Sequence, residues 1–197
     1  MAARSDHVCE VAALGRSRSI AGHQALGGSE SRVRPMGLSV SIRPAVLLDV
    51  PAMNPLFEEI DEYHRVALPE IFRRPTGERR ESSWLDWVIA GPDQAILVAE
   101  EAESQIIGLV VLIVRSAPAT AVRDARQFVE IAELVVSSRV RRIGVGRSLI
   151  EASKTWARDR DIWNLEVSAW SFNTDTTEFY RKLGFQRISE RFAMSSI

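Results

Sequence analysis

The 197-residue chain contains one cysteine, Cys9, so no disulfide within the chain can staple it. That fits a reducing compartment, and a cytoplasmic setting is the expectation. Long hydrophobic runs are missing too. The longest, Ile106–Val114, spans nine residues and is broken by Gly108, well short of the ~20 that a bilayer-spanning helix needs, so it reads as a buried strand. A net charge of −1 offers no electrostatic attraction to nucleic acid or to an anionic membrane. No His/Cys cluster has metal-ligand spacing and His64 stands alone, so no metal is expected. The two familiar nucleotide loops are absent as well. A dinucleotide fingerprint fails because Leu149 stands where its third glycine belongs, and no Gly-Lys-Ser/Thr loop occurs.

What is present fits one globular domain. Apolar residues make up 46% of the chain and charged residues 26%, enough of each for a buried core and a solvated surface. Residues 1–37 read differently. The first 35 hold four of the eleven glycines, five serines and no aromatic residue, and they show no sustained apolar period. Five arginines against three acids suggest an organelle transit peptide, yet no Arg-studded amphipathic helix is visible. The favoured reading is a disordered tail, or an extension ahead of a start at Met36, with the domain at 38–197.

Periodicity then orders the domain. Val40–Arg43 reads as a strand, and Asp49-Val-Pro51 as the start of a helix capped by Asp49. Its Glu58, Asp61 and Glu62 share a face that is either solvated or attractive to a cation. Residues 73–80 form a polar loop, and Ser82 or Ser83 caps a short helix with Trp84, Trp87 and Val88. Ala95–Ala99 and Ile106–Val114 form a hairpin. A strand at 129–136, a helix, a strand at 164–169, a helix at 173–183 and a last pair of strands at 185–188 and 191–194 follow. This is an α/β mixture around one sheet.

The most informative stretch is Arg141-Arg-Ile-Gly-Val-Gly146, between the strand ending at Val136 and a helix whose apolar face is Val145, Leu149, Ala152 and Trp156. At such a corner, unpaired N–H groups and the positive end of the helix dipole converge, which suits an anion. Gly144 and Gly146 would let a diphosphate approach the backbone. About thirty residues on, Asn173, Thr176, Phe179, Tyr180, Leu183, Gly184 and Phe185 fall in a second pattern.

With Arg141, Gly144 and Gly146 as R/Q-x-x-G-x-G/A and the later residues as N-x-x-A-x-x-F-Y-x-x-L-G-F, the chain resembles the GNAT (Gcn5-related) N-acetyltransferases from about residue 38 onward. It departs from them in having Thr176 for the usual Ala and Ser138 where Pro is common. The resemblance implies a mixed, mostly antiparallel twisted sheet of six to seven strands, about four flanking helices and a splayed cofactor cleft. It also implies acetyl-CoA as cosubstrate. The splay would lie between 129–136 and 164–169, where the backbone of Leu134, Val135 and Val136 would pair with the pantetheine arm. Backbone donors at Arg142, Ile143, Gly144, Val145, Gly146 and Arg147 would meet the diphosphate, and some of Arg139, Arg141, Arg142 and Arg147 would reach phosphate with their side chains.

Chemistry needs a group to protonate the leaving thiolate and one to take a proton from the amine. Tyr180, one of two tyrosines, is the expected acid; its alternative is a core aromatic whose hydroxyl reaches solvent. Asn173 is either the cap of its own helix or a partner of the pantetheine arm, and the two are compatible. For the base, Glu133 is preferred over Glu130. Positions three apart in a regular strand point to opposite faces, so only one enters the cleft unless a bulge intervenes. The expected function is acetyl transfer from acetyl-CoA to a small-molecule amine. A protein or peptide acetyltransferase and a non-catalytic acyl-CoA-binding domain are the alternatives, and a homodimer is left open.

Overall fold

The computed structural model describes residues 10–11, 39–77, 80–101 and 105–194. Its strands are β1 (Glu10–Val11), β2 (Ser41–Pro44), β3 (Gln94–Glu101), β4 (Gln105–Ala117), β5 (Arg126–Val136) and β6 (Leu165–Val167). The helices are α1 (Val50–Ala67), α2 (Ser82–Ala90), α3 (Val145–Arg158) and α4 (Thr174–Lys182), with 3-10 turns at Leu47–Asp49 and Ser138–Val140.

Within the domain the sheet runs β2-β3-β4-β5-β6, antiparallel from β2 to β5 and parallel between β5 and β6. That makes five strands where six to seven were expected. The shortfall is at the C-terminal end, because residues 185–194 adopt no regular structure. Their apolar residues are too sparse to supply a packed face: Ile188, Phe192 and Met194 are all exposed. The added sixth strand, β1, comes from the N-terminal segment and lies parallel beside Glu133 and Leu134 of β5. The rest of residues 1–37 is outside the described residues.

β4 is buried on both sides from Ile106 to Ile113, which explains its unbroken apolar run. One face carries Leu97, Val110, Leu112, Ile131 and Leu134 against α3, whose inward residues include Val145, Leu149, Ile150 and Ala157. The other face carries Ile96, Val98, Leu109, Val111 and Val135 against Met53, Phe57 and Ile60 of α1 and Leu85 and Val88 of α2. Each fully buried side chain of this kind contributes about 1.5–3 kcal/mol.

Asp49 does not cap α1 with its side chain as the sequence suggested. Its carboxylate accepts the Val46 N–H at 2.8 Å and two bonds from Arg43 at 2.7 and 2.9 Å. The Arg43 guanidinium accordingly holds the Asp49 carboxyl below its usual value.

The sheet has one irregularity that shapes the site. Val111 pairs with Glu133 while Leu112 pairs with Ile131, so Ala132 is an extra residue in β5. Pairing with β6 ends one residue earlier, at Ile131 with Val167. The bulge and the departure of β6 therefore coincide.

Candidate active site

Beyond Ile131, the edge of β5 no longer has β6 beside it and runs on through Leu134 and Val135 to Val136. The chain then turns through Ser138–Val140 and reaches α3 across two left-handed residues, Arg142 at φ 68° and Gly144 at φ 103°. The second value needs glycine, and a Cβ there would face open space. No side chain caps α3. Its first N–H groups, which no helix can satisfy internally, have no side-chain cap at this corner.

Gly146 has a different reason to be glycine. A Cβ built there would stand 3.3 Å from Phe179 Cζ and 3.8 Å from Val136 Cγ2. The missing side chain lets α3 pack against α4. Val145 is buried, whereas Ile143 and Arg147 are exposed. Arg141 is turned toward protein groups: its Nε donates to the Val136 carbonyl at 3.0 Å, and its Nη2 to the carboxylate of Glu59. Glu59 also accepts the Ser138 N–H at 3.1 Å, tying α1 to the end of β5. Arg142 pairs with Asp175 of α4 at 3.1 Å.

The bulge changes the expectation for the two glutamates. Ile131 faces α3, but Ala132 and Val135 both face α1 and α2. Glu130 lies opposite Ile113 and Glu133 opposite Val111, and both of those partners belong to the α1/α2 face. Glu130 and Glu133 thus share one face, where a regular strand would have separated them. Their partners differ. Glu130 pairs with Arg115 at 2.6 Å toward the solvated end of the strand. Glu133 accepts from Arg80 at 3.0 Å and is the less exposed, its side chain at 13%.

Arg80 also donates to Asp61 of α1 at 3.1 and 3.2 Å, and its guanidinium lies 4.7 Å from the centre of the Phe57 ring. Burial alone would lower the Arg80 pKa, but Glu133 and Asp61 outweigh it and the net shift is upward. Asp61 is therefore in an ion-pair network, not on a solvated face. Glu62 does sit on that outer face, where Arg65 holds its carboxyl down at about 2.

Tyr180 is buried at 4%, packed with Phe179 and Phe185 at centroid distances of 5.3 and 5.0 Å, in the layer with Leu134 and Leu149. Its hydroxyl is buried and does not reach solvent. Asn173 caps α4, its Oδ1 accepting the Thr176 N–H at 3.3 Å. Past β6, Trp170 and Phe172 meet Phe72, Tyr63 and His64, with the centroid distances between 5.2 and 5.7 Å. Burial lowers the His64 pKa, and its Nδ1 lies 2.8 Å from the Ile60 carbonyl. Among the described residues no His, Cys, Asp and Glu side chains group to hold a metal ion, and no helix is long and apolar enough to cross a membrane.

A sequence model of the Acetyltransferase (GNAT) family matches residues 55–185, from the middle of α1 to the residue after the Leu183-Gly184 turn. The chain belongs to the GNAT acetyltransferase family.

Solved structures agree on the fold of this GNAT chain. A tetramutant of the BH1408 protein from Bacillus halodurans is 23% identical, with a TM-score of 0.73 over 79% of this chain and 99% of that one. Glucosamine-6-phosphate N-acetyltransferase from Arabidopsis thaliana is 17% identical, with a TM-score of 0.59 over 80% and 98%. AAC(6')-Iy in complex with the bisubstrate analogue CoA-S-monomethyl-acetylneamine is 15% identical, with a TM-score of 0.61 over 81% and 99%. No sequence among the curated proteins matches the chain.

The GNAT fold brings Glu130, Glu133, the β5 edge and the Gly144 corner into one continuous strip, with Tyr180 in the layer beneath it. Two residues of this strip escaped the sequence. Arg80 looked like part of a solvated loop, and nothing local says that the loop folds back onto β5. Glu59 was passed over beside Glu58, Asp61 and Glu62; only its helical phase, one residue before the buried Ile60, hinted that it leans toward the sheet.

Proposed function

We propose that this protein is an N-acetyltransferase that moves the acetyl group of acetyl-CoA directly to the amine of a small molecule. The observation that carries the reading is the coincidence at Ala132: β5 bulges, β6 leaves, and the edge, covered beyond that point only by the two residues of β1, leads to the uncapped start of α3. The residues fit acetyl-CoA. The N–H groups of residues 144–147 would hold the diphosphate, and the peptide groups of Leu134, Val135 and Val136 would pair with the pantetheine arm as with a strand, Glu10–Val11 giving way where it now lies beside Leu134. Asn173, whose oxygen caps α4, is the side chain that would meet the pantetheine arm from the start of that helix. When bound, acetyl-CoA supplies an activated thioester carbonyl.

The chain's own residues then position and handle protons. Glu133, on the bulged face, takes a proton from the acceptor's ammonium, directly or through water, and the neutral amine so formed is the nucleophile. Tyr180, protonated at neutral pH, is the group assigned to protonate the departing thiolate. The backbone N–H groups around the bulge supply donors for the developing oxyanion. Glu130 has its carboxylate on Arg115, so the peptide-acetyltransferase reading has little in this site to draw on.

A small acceptor is favoured because α1 and the connection carrying Arg80 close over the Glu133 face. The single cysteine continues to support a cytoplasmic setting. The test is thiol release from acetyl-CoA against a panel of amines, polyamines, amino sugars and lysine peptides. Turnover with a small amine supports the reading; turnover confined to peptides, or none with any amine, contradicts it.

A further inference from the structure

Arg43 and Arg80 each bridge two carboxylates, and they differ in what carries them. Arg43 stands on β2, in register with Val98 of the core, and joins Asp49 to Glu100. It is fixed by a ladder. Arg80 stands at the end of the connection between α1 and α2, and residues 73–77 of that connection are all exposed. Among the described residues, none of 73–77 makes a backbone hydrogen bond, and Gly77 has open space around its α-carbon. The Arg80 head can withdraw without unpacking a strand or a helix.

The environment it would vacate is made for a cation. The Asp61 and Glu133 carboxylates converge at 3.0–3.2 Å on the guanidinium, and the Phe57 ring presents its face 4.7 Å away. We propose that Asp61, Glu133 and the Phe57 face form the site for the ammonium of the acceptor, and that Arg80 is a built-in occupant which the acceptor displaces. This rests on the assignment of the bulged β5 face as the acceptor side.

The exchange is balanced in charge. An alkylamine, with a pKa near 10, arrives as an ammonium. Swapping one cation for another keeps both carboxylates paired, so neither is left buried with its charge uncompensated. Arg80 regains water as it leaves. Next to Arg80 a cavity of about 350 Å³, lined by Asn54, Glu58, Ser82 and Leu85 among others, gives room for the rest of the acceptor or for the withdrawn side chain. The acceptor class follows: a cationic amine without a carboxylate beside the amine, since Asp61 and Glu133 would repel an amino acid's α-carboxylate.

The experiment uses the full chain at pH 8, with 1,4-diaminobutane as the cationic probe, β-alanine as the zwitterionic one and methylguanidinium as the mimic of the Arg80 head. Calorimetry needs no turnover, so it separates this proposal from the assignment of activity. Arg80→Met keeps an apolar stem over Phe57 and removes the charge. It is expected to bind 1,4-diaminobutane about tenfold or more tightly than the parent and to bind methylguanidinium, while β-alanine binds neither protein. Adding Asp61→Asn to Arg80→Met should abolish both gains. In the parent protein, saturating 1,4-diaminobutane should move the Arg80 guanidinium NMR signal, assigned by its loss in Arg80→Met, to the position of a solvated arginine. An unmoved Arg80 signal at saturation, or unchanged or weaker diamine binding by folded Arg80→Met, would overturn the proposal and make Arg80 a fixed support. If Arg80→Met does not fold, the NMR measurement on the parent decides alone.

Discussion

Glu133 on the bulge of β5 accepts a hydrogen bond from Arg80 at 3.0 Å, and through Arg80 it is joined to Asp61 on α1. Glu130, three residues earlier on the same face, is paired instead with Arg115 at 2.6 Å. The bulge gives both glutamates a common face, and their partners give them different tasks.

Replacing the two glutamates should separate those tasks. Glu133→Gln is expected to lower kcat about 10²-fold or more at neutral pH, the scale of a general base. The deficit should shrink as pH approaches the amine's own pKa, where free amine needs no base. Glu130→Gln should leave kcat within about threefold, because a partly exposed ion pair is worth little. Equal losses in steady-state kinetics would mean that the face acts as a unit and no single base can be assigned.

Tyr180→Phe should divide chemistry from binding. The ring contacts with Phe179 and Phe185 remain, so CoA affinity and melting temperature should change little. If the hydroxyl protonates the thiolate, kcat falls about 10²–10⁴-fold with KM nearly constant. A wild-type kcat would leave solvent as the proton source.

His64 sets an acid limit on stability. Its pKa is depressed in the folded protein, chiefly by burial, below the ordinary value of 6.5. Its contribution is therefore complete above about pH 6.5. As pH falls below that value the unfolded chain takes up a proton that the folded one resists, and stability drops with at most one proton's slope, about 1.4 kcal/mol per pH unit. Denaturant titrations should show this slope in the parent and its loss in His64→Phe. The same slope in both would place its origin elsewhere.

A chain starting at Met36 should keep its thermal stability, because both core clusters of the described residues are built from residues 40 onward. Glu10–Val11 lies along the same edge of β5 that the pantetheine arm would use. The shortened chain should accordingly bind acetyl-CoA at least as tightly as the full one. Calorimetry showing weaker binding on truncation would mean that the N-terminal segment contributes to the cofactor site.

Much of this arrangement was legible in the sequence, for identifiable reasons. The nine-residue apolar run of β4 and the 4, 3, 4 spacing on α3 are local patterns, and local patterns survive folding. The Gly144 corner was readable because a φ as far positive as 103° at the start of a helix favours glycine whatever surrounds it. The role of Gly146 was not, since it depends on Phe179, thirty-three residues away, approaching its α-carbon. The bulge at Ala132 was not legible either: a one-residue register shift is set by how β4 and β5 pair, and Glu130-Ile-Ala-Glu-Leu-Val-Val136, which does not alternate strictly, is compatible with both registers. Arg80 lay beyond reach for the same reason, as its partners Asp61 and Glu133 are nineteen and fifty-three residues away.

The central claim is that the uncapped start of α3 holds the diphosphate of acetyl-CoA, and a matched pair of variants tests it most directly. Gly144→Asp and Gly144→Asn place nearly identical side chains into open space at the same positive φ, so the backbone strain is common to both, and they differ by one negative charge. Acetyl-CoA affinity measured by calorimetry, with melting temperature as a check on folding, should stay within about threefold of the parent for Gly144→Asn. For Gly144→Asp it should fall about tenfold or more, as a carboxylate competes with the diphosphate for the same N–H groups. Equal affinities in the two folded variants would contradict the account and move the cofactor away from this corner.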